Sequence, residues 1–111
     1  MLENAASLFD TPEDIQKKIM AARSLQRARF AKNKILTNSE MSSKLTDKVI
    51  NLDETGEQFI REVMEKQMLS ARGYYRVLKV ARTIADLAGS ENVNADHLAE
   101  AFGYRLKTSE A

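Results

Sequence analysis

The stretch from Ser70 to Gly89, SARGYYRVLKVARTIADLAG, constrains the fold of this chain more than any other. Ala71, Tyr74, Val77, Leu78, Ala81, Ile84, Ala85 and Ala88 recur at the three-and-four spacing of one helical face, and Arg72, Arg76 and Lys79 fall opposite them. Val80 and Leu87 widen the apolar stripe beyond what a helix resting on one neighbour needs, so the pattern predicts a central helix packed on more than one flank. Ser70 offers a hydroxyl to cap its start, and Gly89 can take the left-handed conformation that closes its end. A buried helix with a cationic ridge is the expected centre of the fold.

The rest of the chain reads as helices placed around it. At Thr11-Pro12-Glu13-Asp14 a hydroxyl cap, a proline at the first helical position and two acids facing the positive end of the dipole coincide. The helix they start runs to about Ala31 on a narrow stripe of Ile15, Ile19, Ala22, Leu25 or Gln26, and Phe30, with its basic residues on the solvent side. Asn33 and Asn38 bracket a loop. Met41, Leu45, Val49 and Ile50 suggest a short helix within Ser39 to Ile50. Asn51-Leu52-Asp53 caps a third helix from Glu54 to about Met68, with Phe59, Ile60, Val63, Met64 and Met68 inward and Gly56 in its first turn, where glycine is least costly. Asn94 caps a last helix from Ala95 to Phe102, with Leu98, Ala101 and Phe102 inward and Gly103 ending it. No segment alternates apolar and polar residues as a strand would. The expected fold is an all-α bundle of four to five helices: a flexible lead over residues 1–10, the helical domain over 11–106 and a flexible tail over 107–111.

A chain of 111 residues supports one modest core. With 43% apolar and 30% charged residues it has no apolar run near the roughly 20 residues that cross a bilayer, and no secretory leader is visible. It has no cysteine, hence no disulfide or thiolate metal site, and a cytoplasmic protein without a membrane partner is expected. Charge is distributed unevenly. Lys17, Lys18, Arg23, Arg27, Arg29, Lys32 and Lys34 lie between Ile15 and Ile35 with no acid among them, while Asp53, Glu54, Glu57, Glu62 and Glu65 crowd a later segment against Arg61.

Much chemistry is missing. No GxxxxGK[ST] loop occurs, and glycines at only four positions, 56, 73, 89 and 103, cannot build a phosphate cradle. His97 is the sole histidine, which suits a surface or capping role better than a metal site. No serine–histidine or cysteine–histidine pair offers a nucleophile, and the acids of the third helix read as a solvated face. No catalytic or metal-ligating residue is assigned, and the chain alone is not expected to be an enzyme. Arg72, by contrast, sits in the first turn of the central helix. A guanidinium there presents a fork of donors matched to phosphate oxygens at the positive end of a helix, although pairing with an acid of the bundle, or simple solvation, explains it on local grounds as well.

The run SARGYYRVLKVARTIADLAGSENVNADHLAEAFGYR resembles the C-terminal part of magnesium chelatase-like AAA+ ATPases, in particular the ComM/YifB competence group. The segment IMAARSLQRARF with Asn33 and Leu36 resembles the helix and loop that open the same domain, so the likeness covers most of the chain from Ile15 to Tyr104 and is loose from Thr37 to Asp53. The resemblance implies the helical lid of an AAA+ machine. It implies that Arg72 is the sensor-2 arginine that reaches the terminal phosphate of the nucleotide, while Tyr74 and Tyr75 read as core and flank residues. Arg76 and Lys79 would extend that contact to phosphates or to a neighbouring subunit. It further implies ATP and Mg2+ as cofactors of the full-length protein, with none in this chain alone. The implied partners are the AAA+ core domain and neighbouring subunits of a hexameric ring, in a machine acting in DNA processing and natural transformation. The family's Walker A, Walker B and arginine-finger residues have no counterparts here. The alternative is a small helical nucleic-acid-binding protein that contacts backbone phosphates through Lys17, Lys18, Arg23, Arg27, Arg29, Lys32 and Lys34.

Overall fold

α1 (Pro12–Arg29) starts on a reciprocal cap in which the Thr11 hydroxyl accepts from the Asp14 N–H and the Asp14 carboxylate from the Thr11 N–H, both at 3.1 Å. The computed structural model describes residues 10–67 and 69–110, with only the backbone described at 67 and 105–110. The helix ends two residues short of Ala31, where the Phe30 N–H returns to the Gln26 carbonyl. Its inward line is Ala22, Gln26 and Phe30, and Leu25 is left 44% exposed. The polar residue is the one turned in because its Oε1 accepts the buried backbone N–H of Asn38 at 3.0 Å.

The short helix expected after the loop is broken in two. A 3-10 turn, Asn38–Glu40, is followed by α2 (Ser43–Val49), and Ser42 between them caps α2 by accepting the Leu45 N–H. Met41 and Ile50 are buried, and Leu45 and Val49 half-buried, as their spacing suggested.

α3 (Glu54–Gln67) is capped by Asp53, whose Oδ1 accepts from the Gly56 N–H at 2.8 Å and the Thr55 hydroxyl at 2.7 Å. Those donors hold the Asp53 carboxyl below the usual carboxylate range. Gly56 does more than tolerate its place, because a Cβ there would stand 2.6 Å from the Val93 carbonyl oxygen. The glycine lets α3 pass the segment where Leu52 and Val93 form an isolated parallel bridge. Along α3, Ile60 is buried, Phe59 and Val63 are half-buried, and Met64 is 39% exposed instead of inward. Met68 lies outside the described residues.

α4 (Ala71–Leu87) occupies the centre, touching α1, the 3-10 turn, α2 and α5 (Ala95–Glu110). Val77, Leu78, Ala81, Ile84 and Ala85 are buried and continuous with Leu98, Ala101 and Phe102 of α5, whereas Ala71 at the start of the stripe is exposed. Ser70 caps it by accepting the Gly73 N–H at 3.1 Å. Gly89 closes it with φ at 71°, its N–H bonded to the Asp86 carbonyl and that of Ser90 to the Ala85 carbonyl. α5 does not stop at Gly103. The helical backbone carries through to Glu110. Gly103 has no positive φ, which is what a terminating glycine adopts. Residues 1–9, expected to be a flexible lead, lie outside the described residues. Among the described residues five α-helices and the 3-10 turn account for the regular structure, with no sheet and no helix long and apolar enough to cross a membrane.

Candidate functional site

Arg72, Arg76 and Lys79 come together on one wall of a groove of about 470 Å³. Their spacing places them on successive turns of α4, and the opposite wall is formed by Ser39 of the 3-10 turn and Ser43 at the start of α2. Ala71, Tyr75 and Val80 complete it, and none of the described residues lining it is acidic. The Tyr75 hydroxyl donates to Asp47 at 2.9 Å and so fastens α2 beside α4. Tyr74, half-buried against the core, meets the Tyr75 ring edge to face with centroids 5.0 Å apart. Arg72 and Arg76 are exposed and Lys79 half-buried. Three cations, two hydroxyls and the positive end of a helix around one opening make a surface that attracts anions.

Behind the groove lies a buried ionic cluster. Arg29 donates two hydrogen bonds of 2.8 Å to the two oxygens of Asp86 and a third, also 2.8 Å, to the Asn38 side chain. Asn38 is completely buried and donates to Asp86 at 2.9 Å and to the Thr83 hydroxyl at 3.0 Å. Arg82, one turn before Asp86, adds a 3.2 Å ion pair and donates to the carbonyls of Ser90 and Glu91, leaving its buried Nε without a partner. Burial pushes the Arg82 pKa down and Asp86 pushes it back up. Inspection of the residue pattern missed Arg82, Asp86 and the anchoring role of Asn38. The available signal was a basic and an acidic residue four apart inside an otherwise apolar stripe.

This cluster corrects the basic face of α1. Arg29, read as a solvent-facing cation, is committed to Asp86, which comes from a helix 57 residues away. Lys18 is half-buried and paired with Asp10 at 2.6 Å. Lys17, Arg23 and Arg27 on α1, with Lys32 and Lys34 just after it, are exposed. They do not line the groove that holds Arg72.

His97 caps α5 and is buried rather than at the surface. Its Nδ1 accepts the Asn94 N–H and its own N–H donates to the Asn94 side chain, each at 3.1 Å. That acceptor role requires an unprotonated Nδ1, and burial followed by the charge of Arg82 lowers the pKa against the opposing pull of Asp96 and Asp53. The glutamates of α3, Glu54, Glu57, Glu62 and Glu65, form the exposed face expected of them.

Residues 10–105 match the family described as "Magnesium chelatase, subunit ChlI C-terminal". Competence protein ComM of Haemophilus influenzae is 36% identical over 104 residues, covering 94% of this chain and 20% of that protein. The uncharacterized protein YifB of Salmonella typhimurium is 30% identical over 105 residues, 95% of this chain and 20% of that protein. YifB of Escherichia coli is 34% identical over 91 residues, 82% of this chain and 17% of that protein. The chain therefore spans about a fifth of the length of these relatives. With the family match running from before the cap of α1 into the last helix, this chain belongs to the magnesium chelatase ChlI C-terminal domain family.

Proposed function

We propose that this domain is the helical lid of a ComM-like AAA+ ATPase, and that Arg72 senses the bound nucleotide. The observation that carries the reading is the position of Arg72: exposed in the first turn of the central helix, at the edge of a groove it shares with Arg76 and Lys79. Its guanidinium fits a phosphate bidentately, and the helix start adds positive potential. The nucleotide and its Mg2+ would supply the terminal phosphate, held mainly by a core domain, since the chain contains no phosphate-binding loop. Arg72 would donate to that phosphate, and the rigid α4 would turn its arrival or loss into a change of lid angle. In this reading the domain works in the cytoplasm within a hexameric ring, touching neighbouring subunits, and the machine handles DNA during natural transformation.

The test is Arg72→Ala in the full-length protein. ATP hydrolysis is expected to fall by about a hundredfold, the lower end of the range for removing a transition-state donor, with the thermal unfolding of the domain unchanged. An unaltered hydrolysis rate removes Arg72 from the sensor role. A second reading, direct contact with nucleic acid, is favoured by the five exposed cations Lys17, Arg23, Arg27, Lys32 and Lys34.

A further inference from the structure

We propose that the trench along α4 between α1 and α5 is a docking site for an acidic amphipathic segment of a partner protein, one that presents a carboxylate beside apolar side chains. Arg76, Val80, Thr83 and Leu87 follow one another at intervals of four, three and four residues. They form one line about 16 Å long on α4, exposed at Arg76 and half-buried beyond it. On one side a hollow of about 340 Å³ continues from this line to Ala101 and Tyr104 of α5. On the other a hollow of about 440 Å³ continues to Ile19, Ala22 and Arg23 of α1. Thr83 and Leu87 line both, so the two are halves of a single trench.

The α5 half is mostly apolar, and the α1 half is equipped for a carboxylate. Gln26, which lines it, is only 8% exposed, and its side-chain oxygen is committed to the Asn38 N–H. That bond fixes which end of the amide is nitrogen, and Nε2 has no partner among the described residues. A donor on so buried a side chain gains from an acceptor arriving in the hollow. Arg23 stands beside it, exposed and in no ion pair among the described residues. The charged residues lining the two halves, Arg23 and Arg76, are both cations. Glu40, the acid nearest in sequence to the Thr37–Ser39 wall, does not line it, and its Oε1 accepts from the Leu36 and Thr37 N–H groups and the Thr37 hydroxyl. Asp86 is wholly buried and answered by two arginines. A partner carboxylate would accept from Gln26 Nε2 and Arg23, while apolar side chains of the same segment cover Leu87 and Val80 and enter the α5 half. A nucleic-acid backbone offers nothing to that apolar half. Arg72 and Lys79 do not line the trench, so the proposal stands apart from the sensor reading.

The test is fluorescence anisotropy of a labelled synthetic helix of about three turns, with leucines along one face and glutamates beside them, titrated with the 111-residue chain. Saturable binding is expected, at least about tenfold tighter than for the same peptide with glutamines in place of its glutamates. Gln26→Glu keeps an oxygen for the Asn38 N–H and turns the free donor into a like charge, so it should weaken binding at least about tenfold. Arg23→Ala should weaken it about three- to tenfold, and at an exposed position it carries the test if Gln26→Glu lowers the unfolding midpoint. Arg72→Ala should leave binding within about twofold, which separates this site from the sensor. No saturation by about 1 mM peptide, or equal binding by the wild type and both trench variants, overturns the proposal. Displacement of the probe by duplex DNA would assign the trench to nucleic acid and overturn it too. So would a chain that dimerises in sedimentation at the assay concentration and comes apart when peptide is added, because the site would then belong to a second copy.

Discussion

Arg29 near the end of α1 and Asp86 near the end of α4 stand 57 residues apart in sequence and face each other through two parallel 2.8 Å hydrogen bonds. Asp86 is wholly buried while Arg29 keeps a partly exposed edge, 17% of its side chain, and lies 5.9 Å from the centre of the Phe30 ring. Removing Asp86 therefore costs more than removing Arg29. Asp86→Ala strands the buried Arg82 and Asn38 and should lower stability by about 3–5 kcal/mol, whereas Arg29→Ala should cost less because water reaches part of its site. Urea unfolding of the two variants and of the double variant checks this. A loss for Asp86→Ala below that of Arg29→Ala would contradict the assignment of Asp86 as the hub.

Two glycines in helices should respond oppositely to alanine. Gly56→Ala puts a methyl 2.6 Å from the Val93 carbonyl oxygen and 3.3 Å from a Leu52 methyl, and the backbone carbonyl cannot step aside. A loss of about 1–3 kcal/mol is expected, the range for overpacking. Gly103→Ala meets no atom within 4 Å and should stabilise α5 by about 0.5–1 kcal/mol, the difference in helix propensity. Thermal unfolding midpoints moving in the same direction for both would refute this account.

His97 gives stability a pH dependence. Its folded pKa is depressed by burial and by Arg82, against Asp53 and Asp96, so the unfolded chain takes up a proton that the folded chain refuses. The free energy of unfolding therefore falls with falling pH, beginning near the unfolded pKa of about 6.5 and continuing to the folded value, by at most about 1.4 kcal/mol per pH unit. His97→Gln retains an acceptor suited to the same cap and should flatten the slope in that window. Denaturation at several pH values between 7.5 and 5 compares the two proteins. Equal slopes, or a histidine titration at or above 6.5 by NMR, would rule out the neutral cap.

DNA contact through the exposed cations makes a quantitative demand. If Lys17, Arg23, Arg27, Lys32 and Lys34 all met phosphates, the logarithm of the binding constant should fall against the logarithm of salt with a slope of about −4.5 for duplex DNA. Replacing Arg23 and Arg27 by alanine should reduce that slope by about two and leave sequence preference untouched. Binding that ignores salt, or none at low salt, would dismiss nucleic acid as a partner of this face.

What could be read in the residues was local or periodic. The caps at Thr11, Ser70 and Asn94, the left-handed Gly89 and the buried line from Val77 to Ala85 each depend on neighbours within about a turn, and each is found in place. The clustering of Arg72, Arg76 and Lys79 followed from helical spacing, but the Ser39 and Ser43 wall that makes it a groove comes from a segment whose position is set by long-range bonds. Gln26 turned inward over Leu25 because of an N–H twelve residues on. Arg82 and Asp86 look like polar interruptions until Arg29 and the carbonyls of Ser90 and Glu91 arrive to satisfy them. Gly56 and Gly103 are the same residue in helices of similar length, and only the tertiary neighbour Val93 tells the needed one from the neutral one.

The bonds from Asn38 to Gln26, Arg29, Thr83 and Asp86 have a mechanical consequence. The first two fasten the 3-10 turn to the far end of α1, an 18-residue rod about 27 Å long at 1.5 Å per residue. Ser39, the next residue, is part of the wall facing Arg72. Because Asn38 is bonded to Thr83 and Asp86 as well, the turn is tied to the same helix that carries Arg72, and the two walls of the anion-attracting groove are held to each other through one buried side chain.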